Sequence, residues 1–278
     1  MKKEQSSIWP TFLKHWKYYH SPGKPSKDDL RIVERWLKRL KAKRVLILGS
    51  TPQLRDLAAK LKLETTVMDM QNEMLQGMKQ YMERKKVQET VIQSNWLTTP
   101  LKEGHFDVVL GDLIMENVQH EYKIPLLRNI SRWLKPKGYF ITKVFFVPEH
   151  YAKYDPVPII NYIAQLPRNE NRQSELFVHL YFYGYDKKKK TLFTHKVTKL
   201  IHRYYKNGKT LHGVDKRAIP LFKKIMLLWG NPMSKKWYLG NREYNLREIS
   251  RVFRIQSYEE PSDYLFAKYF PTIVCRKE

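Results

Sequence analysis

The stretch Arg44-Val45-Leu46-Ile47-Leu48-Gly49-Ser50-Thr51-Pro52 carries the first decisive signal in this chain. Four consecutive apolar residues predict a strand buried on both faces, since a half-exposed strand would alternate apolar with polar. Gly49 closes the strand. Thr51 then suits a helix N-cap and Pro52 a first helical position. Leu54, Leu57, Ala58 and Leu61 follow at the spacing of one helical face. A buried strand passing through a glycine turn into a helix is the opening unit of a parallel sheet covered by helices.

Working outward, the same unit recurs. Upstream, Ser26-Lys27-Asp28-Asp29 predicts a helix start, with Leu30, Val33, Leu37 and Leu40 along its apolar face. Downstream, Thr65-Thr66-Val67-Met68 is a second strand ending at Asp69. Met74, Met78, Tyr81 and Met82 mark a helix packed on the core. Val91-Ile92-Gln93 is a weak third strand, and Phe106-Asp107-Val108-Val109-Leu110 a strong fourth, ending at Gly111-Asp112. A helix over Leu126–Leu134 stops at Lys135-Pro136-Lys137-Gly138, and Tyr139–Phe146 is the fifth strand. After Pro148 the rhythm changes. Helical stretches at Ile159–Leu166, Glu175–Tyr183 and Ile219–Leu228 are parted by turns at Lys206-Asn207-Gly208 and Gly230-Asn231-Pro232. The tetralysine Lys187–Lys190 reads as a solvated turn. Phe253–Tyr258 and Tyr269–Cys275 lie too close for a helical crossover, which predicts an antiparallel hairpin. The expected organisation is a basic arm and helix over 1–43, an α/β core over 44–150, a mainly helical insertion over 151–250, and the terminal hairpin over 251–278.

Composition narrows the function. Of 278 residues, 42% are hydrophobic and 13% aromatic, enough for a large core. No apolar run approaches a membrane span, and the basic N-terminus lacks the apolar stretch of a secretory signal, so a cytoplasmic chain without membrane association is expected. A single cysteine, Cys275, excludes an internal disulfide and a cysteine-rich zinc centre; no metal site is expected. The net charge of +25 is uneven: residues 1–43 carry +8 and residues 150–250 carry +13. A nearly neutral core with basic additions attracts polyanions, steers a small anion, or keeps the chain soluble. Nucleic acid is therefore one candidate partner. The scatter of lysines over several helices favours a small molecule instead.

Five α/β units followed by an antiparallel hairpin resemble the class I S-adenosylmethionine (SAM) dependent methyltransferases. The resemblance rests on Val45-Leu46-Ile47-Leu48-Gly49-Ser50-Thr51-Pro52, Val67-Met68-Asp69-Met70, Ser94-Asn95-Trp96, Phe106-Asp107-Val108-Val109-Leu110-Gly111-Asp112 and Leu134-Lys135-Pro136-Lys137-Gly138. It implies a Rossmann-like, mixed seven-stranded sheet, with the insertion placed between the fifth and sixth strands. It further implies transfer of a methyl group from SAM to an acceptor. The chain departs from the family at the first loop, which holds one glycine and no acid in the preceding strand. The alternatives are an RNA methyltransferase, or a non-catalytic member that binds RNA or a protein partner; a nicotinamide oxidoreductase lacks its glycine pattern here.

The expected cofactor-binding residues are Gly49, Ser50, Thr51, Asp69, Met70, Asn95, Trp96 and Asp112. A missing side chain at Gly49 lets backbone approach ligand. Asp69, 20 residues on, can accept bonds from two ribose hydroxyls. Asn95 can read the adenine edge and Trp96 cover its face. Asp112 and His120 are the candidate catalytic residues, His120 as a base. Arg55 reads as an exposed helical arginine, and Lys143 lies inside the fifth strand with no assigned role. Trp9, Phe12 and Trp16 share one helical face and suggest a lid.

Overall fold

The computed structural model describes residues 9–84, 86–148, 155–167, 172–229 and 235–278. The chain enters through a short helix, α1 (Trp9–His15), and then α2 (Lys27–Arg39). Ser26 caps α2 as expected: its hydroxyl accepts the Asp29 N–H, and the Asp29 carboxylate accepts the Ser26 N–H. Strand β1 (Arg44–Leu48) leads into α3 (Pro52–Lys60), β2 (Glu64–Asp69), α4 (Asn72–Gly77), β3 (Thr90–Gln93), β4 (Phe106–Asp112), α5 (His120–Trp133) and β5 (Leu134–Lys143). Pro52 stands at the start of α3, but the Thr51 side chain makes no capping bond.

The insertion follows. Helices α6 (Val157–Gln165) and α7 (Arg172–Gly184) precede β6 (Thr191–Phe193) and α8 (Thr194–Tyr204). A two-residue hairpin, β7 (Tyr205–Lys206) and β8 (Lys209–Thr210), then leads to α9 (Ile219–Trp229) and β9 (Lys236–Tyr238). The hairpin turn is Asn207-Gly208, both at positive φ, which these residues tolerate. The Gly230-Asn231-Pro232 turn lies outside the described residues. Strand β9 pairs antiparallel with β6, so the insertion is helical around a small sheet of its own. Helix α10 (Arg242–Ser250) leaves it and packs on α5, with Ile249 in the same apolar cluster as Leu126 and Ile130.

The chain closes with β10 (Arg254–Glu259) and β11 (Thr272–Arg276). The main sheet has seven strands in the order β10-β11-β5-β4-β1-β2-β3. All pairs are parallel except those made by β11, which slots antiparallel between β5 and β10. This is the expected mixed sheet with its terminal hairpin. Its physical basis is the run of β1, where Val45, Leu46, Ile47 and Leu48 are all at most 1% exposed. Leu46 and Leu48 face one helical layer and Val45 and Ile47 the other.

Two local expectations are corrected. The segment Leu134-Lys135-Pro136-Lys137-Gly138 belongs to β5 instead of forming a free helix stop; its turn character survives as an irregularity. Phe106 pairs with Leu134 and Val108 with Tyr139, so the β5 side holds extra residues there. Lys137 takes the positive φ, and a Cβ on Gly138 would lie 2.9 Å from the Lys135 carbonyl oxygen. Arg55, expected at the surface, is fully buried. It forks onto the Glu89 carboxylate through Nε and Nη2 and donates from Nη1 to the Leu75 carbonyl at 3.1 Å. Nothing in the local pattern of α3 announces Glu89, 34 residues away.

Candidate active site

Register dictates where the site forms. Leu48 pairs with Met68 and with Gly111, Asp69 pairs with Gln93, and Asp112 pairs with Lys143. The C-terminal ends of five parallel strands thus finish in one row. The strand order reverses between β1 and β4, and open α/β sheets bind ligands at that crevice. A cavity lies there, lined by Gly49, Ser50, Thr51, Asp69, Met70, Asn95, Trp96 and Asp112. The structure thus brings together all eight residues expected to meet the cofactor.

Gly49 adopts φ +89°, and a Cβ built on it would find no atom within 4 Å. The backbone therefore presents its bare side to open space. Its N–H is held by the Met68 carbonyl at 2.9 Å. Asp69 accepts the Gln71 N–H at one oxygen and the Ser50 hydroxyl at the other, both at 3.0 Å. Burial raises its pKa, against the pull of these bonds and of Lys235. Trp96 donates its indole N–H to the Met68 carbonyl at 2.9 Å, which fixes the ring beside β2. Asn95 accepts the Leu97 N–H through Oδ1 at 3.0 Å.

Asp112 is tied into a buried charge cluster. Lys143 Nζ lies 3.0 Å from Asp112 Oδ1, 3.3 Å from Asp29 Oδ2 and 3.2 Å from the Pro22 carbonyl oxygen. Burial raises the pKa of Asp112, opposed by Lys143. Burial also pulls Lys143 down, but the two carboxylates outweigh it and leave its pKa raised. So Lys143, without a role in the sequence reading, is the counter-ion of the β4 terminus.

His120 stands apart. It opens α5 with its ring between the Tyr244 hydroxyl, 3.0 Å from Nδ1, and the Lys190 carbonyl, 2.9 Å from Nε2. It does not line the cavity. Glu116, one turn earlier, is 1% exposed, and burial pushes its pKa up to about 7; it accepts the Phe145 N–H at 2.8 Å. Among the described residues no group of three His, Cys, Asp or Glu is placed to hold a metal.

The cavity roof comes from outside the core. Phe12 and Trp16 of the arm, their ring centroids 5.4 Å apart and their planes tilted by 47°, line it. The Trp9 side chain lies outside the described residues. Lys235 and Trp237, at the edge of β9, complete the wall. The sequence reading passed over both, because one lysine among the many of the insertion carries no signal of its own.

A second cavity adjoins the first. The two share Phe12, Gly23, Leu113 and Trp237 as lining residues. The second is walled by Phe145 and Phe270 of the core and by Phe177, Val178 and Tyr181 of α7 and Ile225 and Leu228 of α9.

Residues 47–138 match the family model for the methyltransferase domain. No curated protein matches the chain in sequence. Solved structures share the fold at low identity. One is the CcbJ methyltransferase from Streptomyces caelestis, at 12% identity and TM-score 0.58, with 96% of each chain covered. Another is a glycopeptide N-methyltransferase, MtfA, in complex with S-adenosylhomocysteine, at 11% identity and TM-score 0.52, covering 90% of this chain and 89% of that one. A third is a SAM-dependent methyltransferase from Methanosarcina mazei, at 11% identity and TM-score 0.52, covering 91% and 98%. Residues 47–138 thus resemble a methyltransferase domain, and the sheet order, with a cavity at its switch point, is the fold that these solved structures share.

Proposed function

We propose that the chain methylates a small, largely apolar molecule held in the second cavity. The single observation that carries this reading is the junction of the two cavities: the acceptor chamber meets the cofactor cavity along four shared residues and is closed by insertion helices. Aromatic and aliphatic walls select shape and apolar surface, with the buried Gln173 amide and Ser174 as polar contacts. Among the described residues, a polyanion would find no cation on these walls.

In the cofactor cavity, Asp69 accepts the ribose hydroxyls with Ser50 and the Gln71 amide holding its carboxylate. The bare Gly49 backbone admits the methionyl portion, and Met70, Asn95 and Trp96 enclose the adenine. Thr51 opens the helix beside the loop. SAM supplies a methyl group on a sulfonium that is already an activated leaving group, so positioning is the main task of the protein. Asp112, paired to Lys143, contributes as a fixed wall of the cavity. His120, with both ring nitrogens engaged away from the cavity, is left out of this mechanism.

Calorimetry with SAM and S-adenosylhomocysteine tests the first half. A methyl-donor screen of apolar metabolites against total RNA tests the second. The expected outcome is binding of both nucleosides and methyl incorporation into the metabolite pool. Incorporation into RNA alone would reverse the acceptor assignment.

A further inference from the structure

The two cavities meet at Trp237, which lines both. Lys235 Nζ lies 3.7 Å from the centroid of that ring, and the residue is 2% exposed. Its backbone is clamped by Thr194: the Lys235 N–H donates to Thr194 Oγ1 at 2.9 Å, and its carbonyl accepts the Thr194 N–H at 3.0 Å. The insertion therefore delivers one amine, from a fixed backbone, to the wall of the first cavity against the ring of Trp237, which also borders the second. The sulfonium gives up a methyl and keeps the sulfur–carbon electron pair, so an acceptor O–H or N–H must release its proton to some other group. Resting on the function proposed above, we propose that Lys235 is the proton acceptor for methyl transfer. The acceptor X–H bond breaks, its electron pair forms the bond to the methyl carbon, and the proton joins the neutral Lys235 Nζ. The resulting ammonium lies against the Trp237 face, which favours a cation, and later returns the proton to water.

The surroundings support this role and exclude the rivals. The charged groups facing the amine are Asp69 at the end of β2 and Glu116 after β4, and both favour the protonated form. Asp112, which shares the cavity, is paired to Lys143. Burial outweighs both acids and lowers the Lys235 pKa to about 7, so a neutral amine is populated near neutrality. Asp69 is engaged by Ser50 and Gln71, and neither Glu116 nor His120 lines the cavity.

The test reads the amine itself. The protein is labelled with ¹³Cε-lysine, and the resonance absent from Lys235→Arg is titrated with SAM or with S-adenosylhomocysteine bound. These two ligands differ by the methyl and one positive charge at sulfur. An amine beside the reacting centre titrates lower in the SAM complex, by about half a pH unit or more, because a nearby cation disfavours the ammonium. Equal midpoints in the two complexes overturn the proposal, as does an amine that stays charged above about pH 9 with SAM bound. Calorimetry on Lys235→Met separates this role from anchoring of the SAM carboxylate. A proton acceptor leaves SAM affinity within about threefold, whereas a loss beyond about tenfold identifies an anchor and overturns the proposal. Failure of the unaltered protein to bind either nucleoside would overturn the cofactor reading beneath it.

Discussion

Replacing Lys143 by methionine removes the cation that two buried carboxylates share. The Lys143 side chain is 4% exposed, Asp29 4% and Asp112 8%, so water cannot take the place of the ammonium. Breaking a buried pair from one side costs about 3–5 kcal/mol, because the remaining charge is left uncompensated. For a chain of this length each kcal/mol lowers Tm by about 2–4 °C, so Lys143→Met melts roughly 10 °C below wild type at pH 8. The sign of the pH effect follows from Asp112. Its folded pKa is already raised, and removal of Lys143 raises it further. An acid whose folded pKa exceeds its unfolded value binds more protons when folded, so stability falls as pH rises between the two values. The defect is therefore largest at pH 8 and shrinks towards pH 5, where Asp112 is protonated at smaller cost. The assay is thermal unfolding by circular dichroism at both pH values. A Tm difference that is the same at pH 5 and pH 8 would refute this reasoning, as would one under about 2 °C. Adding Asp112→Asn to Lys143→Met should recover part of the loss, because one unpaired charge is removed.

Asp69→Ala removes two charge-assisted acceptors, each worth about 1.5–3 kcal/mol before water compensation, so SAM affinity measured by calorimetry falls at least about tenfold while the fold persists. Gly49→Val forces a branched residue into positive φ and points it into the cofactor cavity; SAM binding is expected to vanish with the circular dichroism spectrum intact, and retained affinity would remove Gly49 from the site. Arg55→Met leaves the Glu89 carboxylate, 2% exposed, with only the longer ion pair to Lys79 Nζ at 3.6 Å, and lowers stability by about 3 kcal/mol, the low end for a broken buried pair, in urea unfolding.

The sheet was legible because each of its signals is local. Four apolar residues in β1, a carboxylate ending β2 and the FDVVL run of β4 each need no distant partner to be read. The residues that line the cavity followed, since strand register places strand ends in one row whatever covers the faces. What escaped reading depends on contacts far apart in the chain. Arg55 is buried only because Glu89 reaches it, and Lys143 meets a second carboxylate only because α2 brings Asp29 over β5. His120 looked like a site residue by its distance from β4, but α10 and the Lys187–Lys190 turn cover it with Tyr244 and the Lys190 carbonyl. Lys235 lies 166 residues beyond Asp69, and only the folded insertion brings them into one cavity.

A chain of net charge +25 presents a problem to the proposed cofactor, which carries a sulfonium. The folded arrangement resolves it locally. Charges separated by more than about 8 Å of water are screened at physiological ionic strength, so the exposed lysines contribute little field at the cavity. The groups that act at short range lean the other way. Asp29 and Asp112 together outnumber Lys143, and Asp69 adds another carboxylate with no arginine across from it among the described residues of the cavity wall. Lys235 is the cation that would oppose them, and burial moves it towards the neutral amine. The basic surface and the cofactor cavity are thus electrostatically separate. That separation lets the proposed site hold a cationic methyl donor inside a strongly basic protein, while burial gives Lys235 the neutral form that its proposed role requires.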